Sequence, residues 1–551
     1  MYSGLMGFQL YNQINTYVSM SIRTAQELYG ALWSAADEMR KTMSADVYKD
    51  YLLGLVFYKA LSDKMLVEAW DLLSDDDEKR PANLGEAQKR YEAAFDDAET
   101  RDLLKEELAA QFGCAILPSH TFTAFYDNIN NRTFMLKDLQ QAFREIEMAK
   151  DGVYEGLFED FDVDSKDLGK TPDKRNDLIA SVIKSLAHID FSQYPDDALG
   201  DAYEYLISQF ASESGKKAGE FYTPQSVAKL IARIVTHGQE KKYGFSVYDP
   251  TCGSGSLLLQ IKNFIENGAG LDNKASVQFF GQELKNQTYN LARMNMMLHR
   301  VPGSQHHLRN GDTLDADWPT DEPTNFDGVV MNPPYSQKYD AREGLLADVR
   351  FAPYKRLPPA SKADFAFLLH GFYHLKETGT MGIVLPHGVL FRGGSEGEIR
   401  KELLKKGNIY AVIGLPPGIF FSTSIPTCVI VLKKNNAARD VLFIDASKEF
   451  KKERAKNFLL PEHLEKIFKT YVERTDVEKY AHLANFEEIE KNDFNLNIPR
   501  YVDTSEEEEE IDLQAVFHEL AEIEKEEAEV DAKLSGFFKE LGIKFEVGAK
   551  A

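Results

Sequence analysis

The chain has 551 residues, of which 43% are hydrophobic, so it is long enough for about three folded domains. Its formal net charge of −24 argues against a chain that holds duplex DNA by itself, because phosphate contacts require clustered lysine and arginine. Three scattered cysteines are too few for a disulfide framework or a zinc site, and no run of about eighteen apolar residues predicts a membrane span. These features favour a cytoplasmic protein without a bound metal.

The N-terminal part of the chain is predicted to be helical. A second methionine, Met20, precedes a better helical pattern than the first, so residues 1–23 are a candidate N-terminal extension and residues 24–175 a helical domain. Apolar side chains from Val47 to Met65 recur at steps of three and four residues behind a candidate cap, Ser44, which predicts one long helix with an apolar face. Further helices are predicted over residues 103–112 and 136–148.

Residues 176–500 are predicted to form an α/β domain with a doubly wound, Rossmann-like sheet. Short apolar segments alternate there with helical patterns, which is typical of parallel strands joined by crossover helices. The candidate strands are Ser246–Asp249, Val277–Glu283, Gly328–Asn332, Gly382–Pro386, Tyr410–Leu415 and Thr427–Lys433. Open sheets of this kind bind ligands beyond the carboxyl ends of their strands, which is where most of the motifs below occur.

The first motif is Gly219-Glu-Phe-Tyr-Thr-Pro-Gln225. Thr223 is a candidate helix cap with Pro224 at the first helical position, and such a helix start offers free N–H groups to a carboxylate. In this hypothesis Phe221 and Tyr222 cover the apolar part of a cofactor, while Thr223 bonds its carboxylate. A simple helix cap explains the same residues.

The second motif, Asp249-Pro-Thr-Cys-Gly-Ser-Gly-Ser256, follows the first candidate strand. Gly253 and Gly255 let the backbone turn tightly before a helix, but the third glycine of a nicotinamide-nucleotide fingerprint is absent. A carboxylate at Asp249 would repel a pyrophosphate and attract the ammonium of a methionine moiety. The turn therefore predicts a nucleoside cofactor that carries methionine, and an ordinary structural turn is the alternative.

Two acidic residues follow later in the same region. Glu283 ends the next candidate strand, where a carboxylate can accept both ribose hydroxyl hydrogens of a nucleoside, although a solvated strand end looks the same. Asp312 could accept a hydrogen bond from the adenine amine of a cofactor, and a turn aspartate beside a glycine explains it equally well. Both are candidate cofactor-binding residues.

The third motif, Asn332-Pro-Pro-Tyr335, follows an apolar strand and suits one chemical problem. The exocyclic amine of adenine is a poor nucleophile because its lone pair is delocalised into the ring. The Asn332 side-chain oxygen and the Pro333 main-chain carbonyl could accept both amine hydrogens and free that lone pair for attack on a methyl donor. Pro334 adds rigidity, and Tyr335 could stack on a base flipped out of the duplex. These four residues are the candidate catalytic residues.

A proline-rich loop just beyond the third motif carries four basic side chains with no acidic residue among them. Its position predicts phosphate contacts near the flipped base, and solvated surface is the alternative. The candidate DNA-binding residues are Arg350, Lys355, Arg356 and Lys362.

The C-terminal segment, residues 501–551, is acidic. From Asp503 to Leu541 there are fifteen acidic and three basic side chains, a net charge of −12, which is half of the total. Ser505 and Glu508 form a candidate capping box, and a heptad seam of apolar residues is interrupted once, by Glu527. The seam predicts docking of a helix from a basic partner, and packing on its own domain is the alternative. Its residues are Val516, Leu520, Ile523, Val530, Leu534, Phe537 and Leu541.

Length also argues for a separate partner. After the last candidate strand near Lys433, only about 65 residues remain before the acidic helix, fewer than a domain able to read DNA sequence needs. Sequence specificity is therefore expected from another chain.

The order of the glycine turn and the Asn-Pro-Pro-Tyr motif resembles that of amino-methylating DNA methyltransferases. The layout after Met20, with Leu415-Pro-Pro-Gly-Ile-Phe420 and Thr423-Ser-Ile-Pro-Thr427, resembles the modification subunits of type I restriction-modification systems. The resemblance implies an adenine-specific DNA methyltransferase that uses S-adenosyl-L-methionine. The implied cofactor-binding residues are Glu220 to Gln225, Ser254 to Ser256 and Glu283.

The same resemblance implies a multi-subunit enzyme. It predicts a separate specificity subunit that recognises DNA, often a second modification subunit, and optional restriction subunits. The acidic C-terminal helix would meet a helix of the specificity subunit, and the N-terminal domain would help to close around double-stranded DNA. The preference for adenine over cytosine rests on this resemblance.

Three other functions fit parts of the sequence. A protein-glutamine methyltransferase solves the same chemical problem, but its compact catalytic unit leaves the helical extensions unexplained. A non-catalytic assembly subunit would keep the fold, yet Asn332, Asp249 and Glu283 are all intact. A self-sufficient adenine methyltransferase would act without a specificity subunit.

Overall fold

The computed structural model describes residues 25–75, 81–149, 152–194, 196–214, 222–268, 277–315, 318–319, 325–335, 337–420, 425–453, 456–504 and 513–543. The chain forms two compact units, Met1–Val502 and Asp503–Ala551. The predictions that fall outside the described residues concern residues 1–23, Glu220, Phe221, Thr423, Ser505 and Glu508.

The described residues before the sheet are largely helical. The helices are α1 (25–35), α2 (Asp37–Arg40), α3 (Ala45–Leu72), α4 (Leu84–Ala94), α5 (Ala98–Phe112), α6 (Phe122–Asn130), α7 (Leu136–Glu147), α8 (Pro172–Ala187), α9 (Asp196–Ser214) and α10 (Gln225–Thr236). The long helix predicted behind Ser44 is confirmed as α3, although the Ser44 side chain makes no capping hydrogen bond. The helices predicted over residues 103–112 and 136–148 are confirmed as α5 and α7.

Helix α3 is buried all round, whereas the sequence predicts a single apolar face. Every residue from Tyr51 to Asp63 is buried, because α4, α5, α6, α8 and α9 all contact the helix. Several of its polar side chains are paired inside the bundle, although Asp63 Oδ1 has no hydrogen-bond partner among the described residues. Lys59 Nζ lies 2.5 Å from Asp63 Oδ2, and Ser62 Oγ accepts the Phe122 N–H at 2.8 Å. Internal pairing lets polar residues occupy positions that the periodicity assigns to solvent.

The central sheet has the strand order β11-β8-β6-β7-β5-β4-β1-β2-β3. Its strands are β1 (Ser246–Asp249), β2 (Gln278–Glu283), β3 (His306–Asn310), β4 (Phe326–Met331), β5 (Leu375–Pro386), β6 (Ile409–Gly414), β7 (Thr427–Leu432), β8 (Val441–Asp445) and β11 (Ala481–Ala484). A separate hairpin pairs β9 (Lys451–Glu453) with β10 (Lys456–Phe458).

Strand directions place most carboxyl ends together. Strands β1 to β5 run parallel, β7 is antiparallel between β5 and β6, and β6 pairs in parallel with β8. The carboxyl ends of β1, β2, β4, β5, β6 and β8 therefore lie at one edge of the sheet, which we call the carboxyl edge.

Helices cover both faces of this sheet. One core contains residues of α10, α11 (Ser256–Gly268), α12 (Asn286–Leu298) and α15 (Pro461–Glu473). The other contains residues of α13 (Asp364–Tyr373), α14 (Gly394–Lys405) and α16 (Phe486–Lys491). Along β5, Ile383 and Leu385 belong to the second core and Val384 to the first, as the alternation of a strand requires. The predicted doubly wound α/β fold is confirmed.

The core of the helical region continues into the sheet domain. Leu291, Met294 and Leu298 of α12 belong to one cluster with the buried side chains of α3 and α9. The same cluster includes Ile179 and Ala211, so it extends past the predicted boundary at residue 175. The domain boundaries remain predictions.

All six predicted strands are confirmed, with ends shifted by at most two residues except that β5 begins seven residues before the predicted Gly382, but the sequence reasoning missed others. β3 is a sheet-edge strand of polar, partly exposed residues, so it shows no apolar run. β8 has the buried apolar run 441–444 and meets the criterion used for the other strands. The short strands β9, β10 and β11 give no comparable signal.

The second unit contains helix α17 (Leu513–Glu540). The seam residues predicted there are all exposed, from 40% for Val516 to 71% for Leu541. An exposed apolar seam on an acidic helix is suited to a partner helix. Within the described ranges, no helix combines the length and the apolar character needed to cross a bilayer.

Candidate active site

One cavity at the carboxyl edge brings the predicted motifs together. It lies beyond the ends of β1, β2 and β4, so the glycine turn and the Asn-Pro-Pro-Tyr motif face the same space. The predicted site residues that line it are Tyr222, Thr223, Gly253, Ser254, Ser256, Glu283, Asp312, Asn332 and Pro334.

Other residues line the same cavity but were missed by the sequence reasoning. Pro250, Thr251 and Cys252 lie inside the second motif, and Lys285 lies only two residues beyond Glu283, so position in the sequence could have indicated them. Gln337 and Phe367 come from segments without any motif, and only the fold brings them to the cavity. The missed residues are Pro250, Thr251, Cys252, Leu257, Leu284, Lys285, Gly311, Thr313, Gln337 and Phe367.

The glycine turn depends on two left-handed backbone positions. Gly253 has a φ of 54° and Gly255 a φ of 80°, values that other residues rarely adopt. A Cβ on Gly255 would lie 3.2 Å from Met296 Cε on α12, so the turn is also closely packed. The Cys252 N–H donates to the Gln282 carbonyl at 2.9 Å. Burial raises the pKa of the Cys252 thiol well above its usual value, which agrees with a space-filling role and not a nucleophilic one.

Asp249 is fully buried and does not line the cavity. Its Oδ1 accepts the Thr251 N–H at 3.0 Å, whereas Oδ2 has no partner among the described residues. Burial raises the pKa of Asp249 to about 8, so the carboxyl group is largely neutral at pH 7. The sequence reasoning took this carboxyl group as a carboxylate, whereas burial favours its neutral form at pH 7. A positive charge placed close to Asp249 would favour its ionisation.

Glu283 ends β2 as predicted and lines the cavity. Its Oε2 accepts the Gly253 N–H at 3.1 Å, and its Oε1 accepts the Lys285 N–H at 2.9 Å. Burial raises the pKa of this carboxyl group. Each oxygen keeps a second lone pair, so Glu283 can accept two further hydrogen bonds from a ligand.

Asp312 lines the cavity from the loop that follows β3. Its Oδ1 accepts the Leu314 N–H at 2.9 Å, which is the hydrogen bond of an aspartate turn. The neighbouring Thr313 Oγ1 donates to the Pro250 carbonyl at 2.5 Å and ties this loop to the glycine turn. Asp312 therefore has the structural role foreseen as the alternative, in a position that also faces the cavity.

Asn332 follows β4 directly, and two hydrogen bonds orient its carboxamide. Its Nδ2 donates to Thr223 Oγ1 at 3.0 Å, and its Oδ1 accepts from the Tyr335 hydroxyl at 2.9 Å. A carboxamide oxygen has two lone pairs. Oδ1 therefore keeps one acceptor position for a further donor.

Tyr335 is folded back towards Asn332 and is only partly exposed. Its ring centroid lies 6.2 Å from that of Phe420, with an interplanar angle of 79°. Burial raises the pKa of the Tyr335 hydroxyl, which remains a neutral donor to Asn332. Full stacking on a base would require the ring to leave this position.

Helix α10 begins one residue later than predicted. Pro224 occupies the cap position, Gln225 is the first helical residue, and no side chain caps the helix. Thr223 instead accepts the hydrogen bond from Asn332, and this bond joins the first motif to the third. Gln225 does not line the cavity, and its Nε2 donates to Glu204 Oε2 at 3.0 Å.

Glu204, a buried carboxylate on α9, connects the helical region to the glycine turn. Asn295 Nδ2 lies 3.3 Å from Glu204 Oε1 and donates to the Ser254 carbonyl at 2.9 Å. Nothing in the sequence marked Glu204 or Asn295, because neither belongs to a motif.

The prediction of a phosphate contact is wrong for Arg350. The residue is 2% exposed, and its guanidinium donates to Asp348 at 2.7 Å, to the Thr313 carbonyl at 2.9 Å and to His370 Nδ1 at 3.0 Å. Asp348 lies just outside the stretch that appeared free of acidic residues. Its position two residues before Arg350 could have indicated an ion pair, and the sequence reasoning missed it.

The other three basic residues of this loop are placed differently. Lys355 and Arg356 are exposed, and Lys362 is partly exposed. None of the three forms an ion pair with a residue in the described ranges. Their contact with DNA remains a prediction.

Asp249 should make stability depend on pH. An aspartate in an unfolded chain has a pKa near 4, and the folded value is about 8. The folded state therefore holds an extra proton between these values and loses stability as the pH rises through this window. From pH 7 to pH 9 the loss due to Asp249 is about 1.4 kcal/mol. Asp249→Asn removes this term, so its melting temperature relative to the wild type should rise between the two pH values. Parallel melting profiles would contradict the buried, neutral carboxyl group.

Two family models match the chain. The family described as N-6 DNA Methylase matches residues 194–510, which is more than half of the sequence. The family described as HsdM N-terminal domain matches residues 28–186.

Relatives match over nearly the whole length. The type I restriction enzyme MpnII methylase subunit of Mycoplasma pneumoniae is 35% identical over 538 residues, which cover 94% of this chain and 96% of that protein. The type I restriction enzyme MjaVII methylase subunit of Methanocaldococcus jannaschii is 31% identical over 526 residues, or 93% of this chain and 84% of that protein.

A solved structure agrees with these relatives. The type I restriction-modification system methyltransferase subunit from Streptococcus thermophilus is 56% identical and superposes with a TM-score of 0.83. The match covers 87% of this chain and 100% of that chain. This chain therefore belongs to the N-6 DNA methylase family, among the methyltransferase subunits of type I restriction-modification systems.

Proposed function

We propose that this methyltransferase moves a methyl group from S-adenosylmethionine to the exocyclic amine of an adenine flipped out of duplex DNA. In this proposal a separate specificity subunit selects the DNA site. The observation that carries it is the single cavity bordered by the glycine turn, Glu283 and Asn332. A methyl donor and its acceptor must meet in one enclosed space for direct transfer.

The residues around the cavity fit S-adenosylmethionine. Glu283 offers acceptors for two ribose hydroxyls. Leu257, Leu284 and Phe367 supply apolar surface for a base. Asp249 does not line the cavity, but its buried Oδ2 has no partner in the described part of the chain, so its ionised form would attract the ammonium of the methionine part. Bound there, the cofactor supplies an electrophilic methyl group on a sulfonium.

Asn332 and Pro333 prepare the target amine in this mechanism. The hydrogen bond to Thr223 orients the Asn332 carboxamide, so that Oδ1 can accept one amine hydrogen while the Pro333 carbonyl accepts the other. Both bonds favour a pyramidal nitrogen whose lone pair is available for attack. Tyr335 leaves Asn332 Oδ1 as the base enters, and its ring then stacks on the base.

The remaining regions serve assembly and DNA binding in the proposal. The helical region, residues 24–175, helps to close around the duplex, and Lys355, Arg356 and Lys362 contact phosphates near the flipped base. Helix α17 docks on the specificity subunit through its apolar seam. A second modification subunit and restriction subunits complete the larger assembly.

Asn332→Ala tests the chemistry. The variant should lower methyl transfer from labelled S-adenosylmethionine to DNA by at least about 100-fold in the complex with the specificity subunit, because an oriented hydrogen-bond partner of the reacting amine is lost. Cofactor affinity measured by calorimetry should change little. A wild-type complex that binds the cofactor but leaves DNA unmethylated would refute the proposed function, and methylation of a protein acceptor instead would favour the glutamine alternative.

Tyr335→Ala and Tyr335→Phe form a matched pair that tests stacking. Loss of the ring removes about 1–3 kcal/mol of base stacking, so Tyr335→Ala should lower kcat/KM for DNA roughly 10- to 100-fold. Tyr335→Phe keeps the ring and removes only the hydroxyl that bonds Asn332, so its kcat/KM should stay within about threefold of the wild type. Equal damage from both substitutions would mean that the hydroxyl, and not the ring, carries the function.

The exposed seam of α17 predicts where the specificity subunit binds. Leu520→Ser combined with Phe537→Ser should weaken co-purification of that subunit by about 100-fold or more, because two buried apolar contacts are lost. The control, Lys525→Ser combined with Lys539→Ser, changes the same helix away from the seam and should leave assembly intact. Unchanged assembly in the seam variant would contradict the docking role of α17.

A further inference from the structure

The hairpin of β9 and β10 lies at the part of the carboxyl edge that does not border the cofactor cavity. In the sheet order, β1, β2 and β3 lie on one side of β4, whereas β5, β7, β6 and β8 lie on the other. The cavity is built on the first side, from the glycine turn and Glu283. β8 ends at Asp445 on the second side, and the hairpin of β9 and β10 follows directly.

The hairpin carries positive charge in a strongly acidic chain. Residues 448–456 include five basic and two acidic side chains, a net charge of +3, against −24 for the whole chain. Both acidic side chains are already neutralised, since Glu449 pairs with Lys466 and Glu453 Oε1 lies 2.7 Å from Lys451 Nζ. Lys452 is exposed.

The ion pair between Lys451 and Glu453 leaves the lysine accessible. Lys451 and Glu453 have side chains that are 58% and 52% exposed. Ion pairs between such exposed groups contribute little free energy, so a phosphate can compete for the lysine.

Hydrogen bonds fasten the hairpin to the target side of the site. Asn457 Nδ2 donates to the Pro417 carbonyl at 2.6 Å, and the Asn457 N–H donates to the Gly418 carbonyl at 3.3 Å. The loop that contains these carbonyls leads to Phe420, whose ring contacts Tyr335. Tyr335 in turn bonds Asn332. A continuous set of contacts therefore runs from the hairpin to the residue that would hold the target amine.

We infer that the β9–β10 hairpin binds the phosphate backbone of duplex DNA beside the flipped base. That the partner is DNA rests on the proposed function. That the hairpin is the binding surface rests on its charge, its exposure and its position in the fold. The hairpin supplies a positive surface where the chain as a whole would repel DNA. In this proposal the hairpin is a second phosphate-binding element, beside the first, which is the loop that contains Lys355 and Arg356.

The test replaces the hairpin lysines Lys451, Lys452 and Lys456 together with glutamine in the full chain, assembled with the specificity subunit. The probe is a 30-base-pair duplex with one recognition site, titrated at several salt concentrations. The slope of log affinity against log salt should fall by about 1 for each lysine that contacts a phosphate. Affinity near 0.15 M salt should fall roughly fivefold per lost contact. An unchanged affinity for S-adenosylmethionine would show that the site remains folded.

The matched control removes the same number of charges from the opposite edge of the sheet. Lys241, Lys405 and Lys406 precede β1 and β6 and are exposed. Their triple glutamine variant should keep the wild-type slope. Equal losses in the two variants would reduce the effect to net charge and overturn the inference, as would an unchanged slope in the hairpin variant. Loss of the specificity subunit from the hairpin variant would make the hairpin a protein interface and also overturn it.

Failure of the proposed function would look different. If the wild-type complex binds the duplex but transfers no methyl group, the proposed function fails, while a salt slope lowered only in the hairpin variant still supports the hairpin. The Asn332→Ala complex should show the converse result, a wild-type slope without methyl transfer. A wild-type complex that does not bind the duplex would overturn both.

Discussion

The hydrogen bond from Asn332 Nδ2 to Thr223 Oγ1 joins two segments that are 109 residues apart in the sequence. It brings the end of β4 against the start of α10, and it determines which end of the carboxamide is free. With the nitrogen held by Thr223, the oxygen accepts from the Tyr335 hydroxyl and keeps one acceptor position for the site. In the proposed mechanism the target amine requires an acceptor held in a fixed direction, so that mechanism depends on this contact between two elements of the fold.

Burial lowers the negative charge in and around the cavity. Asp249 and Glu283 both have a raised pKa because water is excluded from their carboxyl groups. A neutral Asp249 costs less to bury than an ionised one, which lets the turn be closely packed before any ligand arrives. A cation that binds close to Asp249 would favour release of its proton. Burial alone thus leaves little negative charge at the turn, and attraction of a positively charged ligand depends on that ionisation.

The sequence predicted the fold and about half of the residues that line the cavity for one reason. Apolar runs marked strands such as β1 and β4, and parallel strands bring their carboxyl ends together whatever the intervening residues are. The predictions from sequence failed where a contact between distant residues determines the burial or the role of a side chain.

Particular residues show how this happens. The sequence predicted Arg350 as a surface cation, but in the structure its guanidinium is bonded to Asp348 and His370. Tyr335 is partly covered because Phe420 lies against it, a contact that no local pattern encodes. β3 lacks an apolar run because it lies at the edge of the sheet.

Helix α12 belongs to two cores at once. Leu291 and Met294 pack with the helical region, while Ala292 and Met296 pack under the glycine turn. An arm that swung away from the sheet would have to pull one face of α12 out of its packing, at the cost of exposing large apolar side chains. The packing of α12 therefore opposes a hinge motion of the N-terminal helices relative to the sheet. In the proposed complex, closure of the helical region around a duplex would then require movement of whole subunits towards each other.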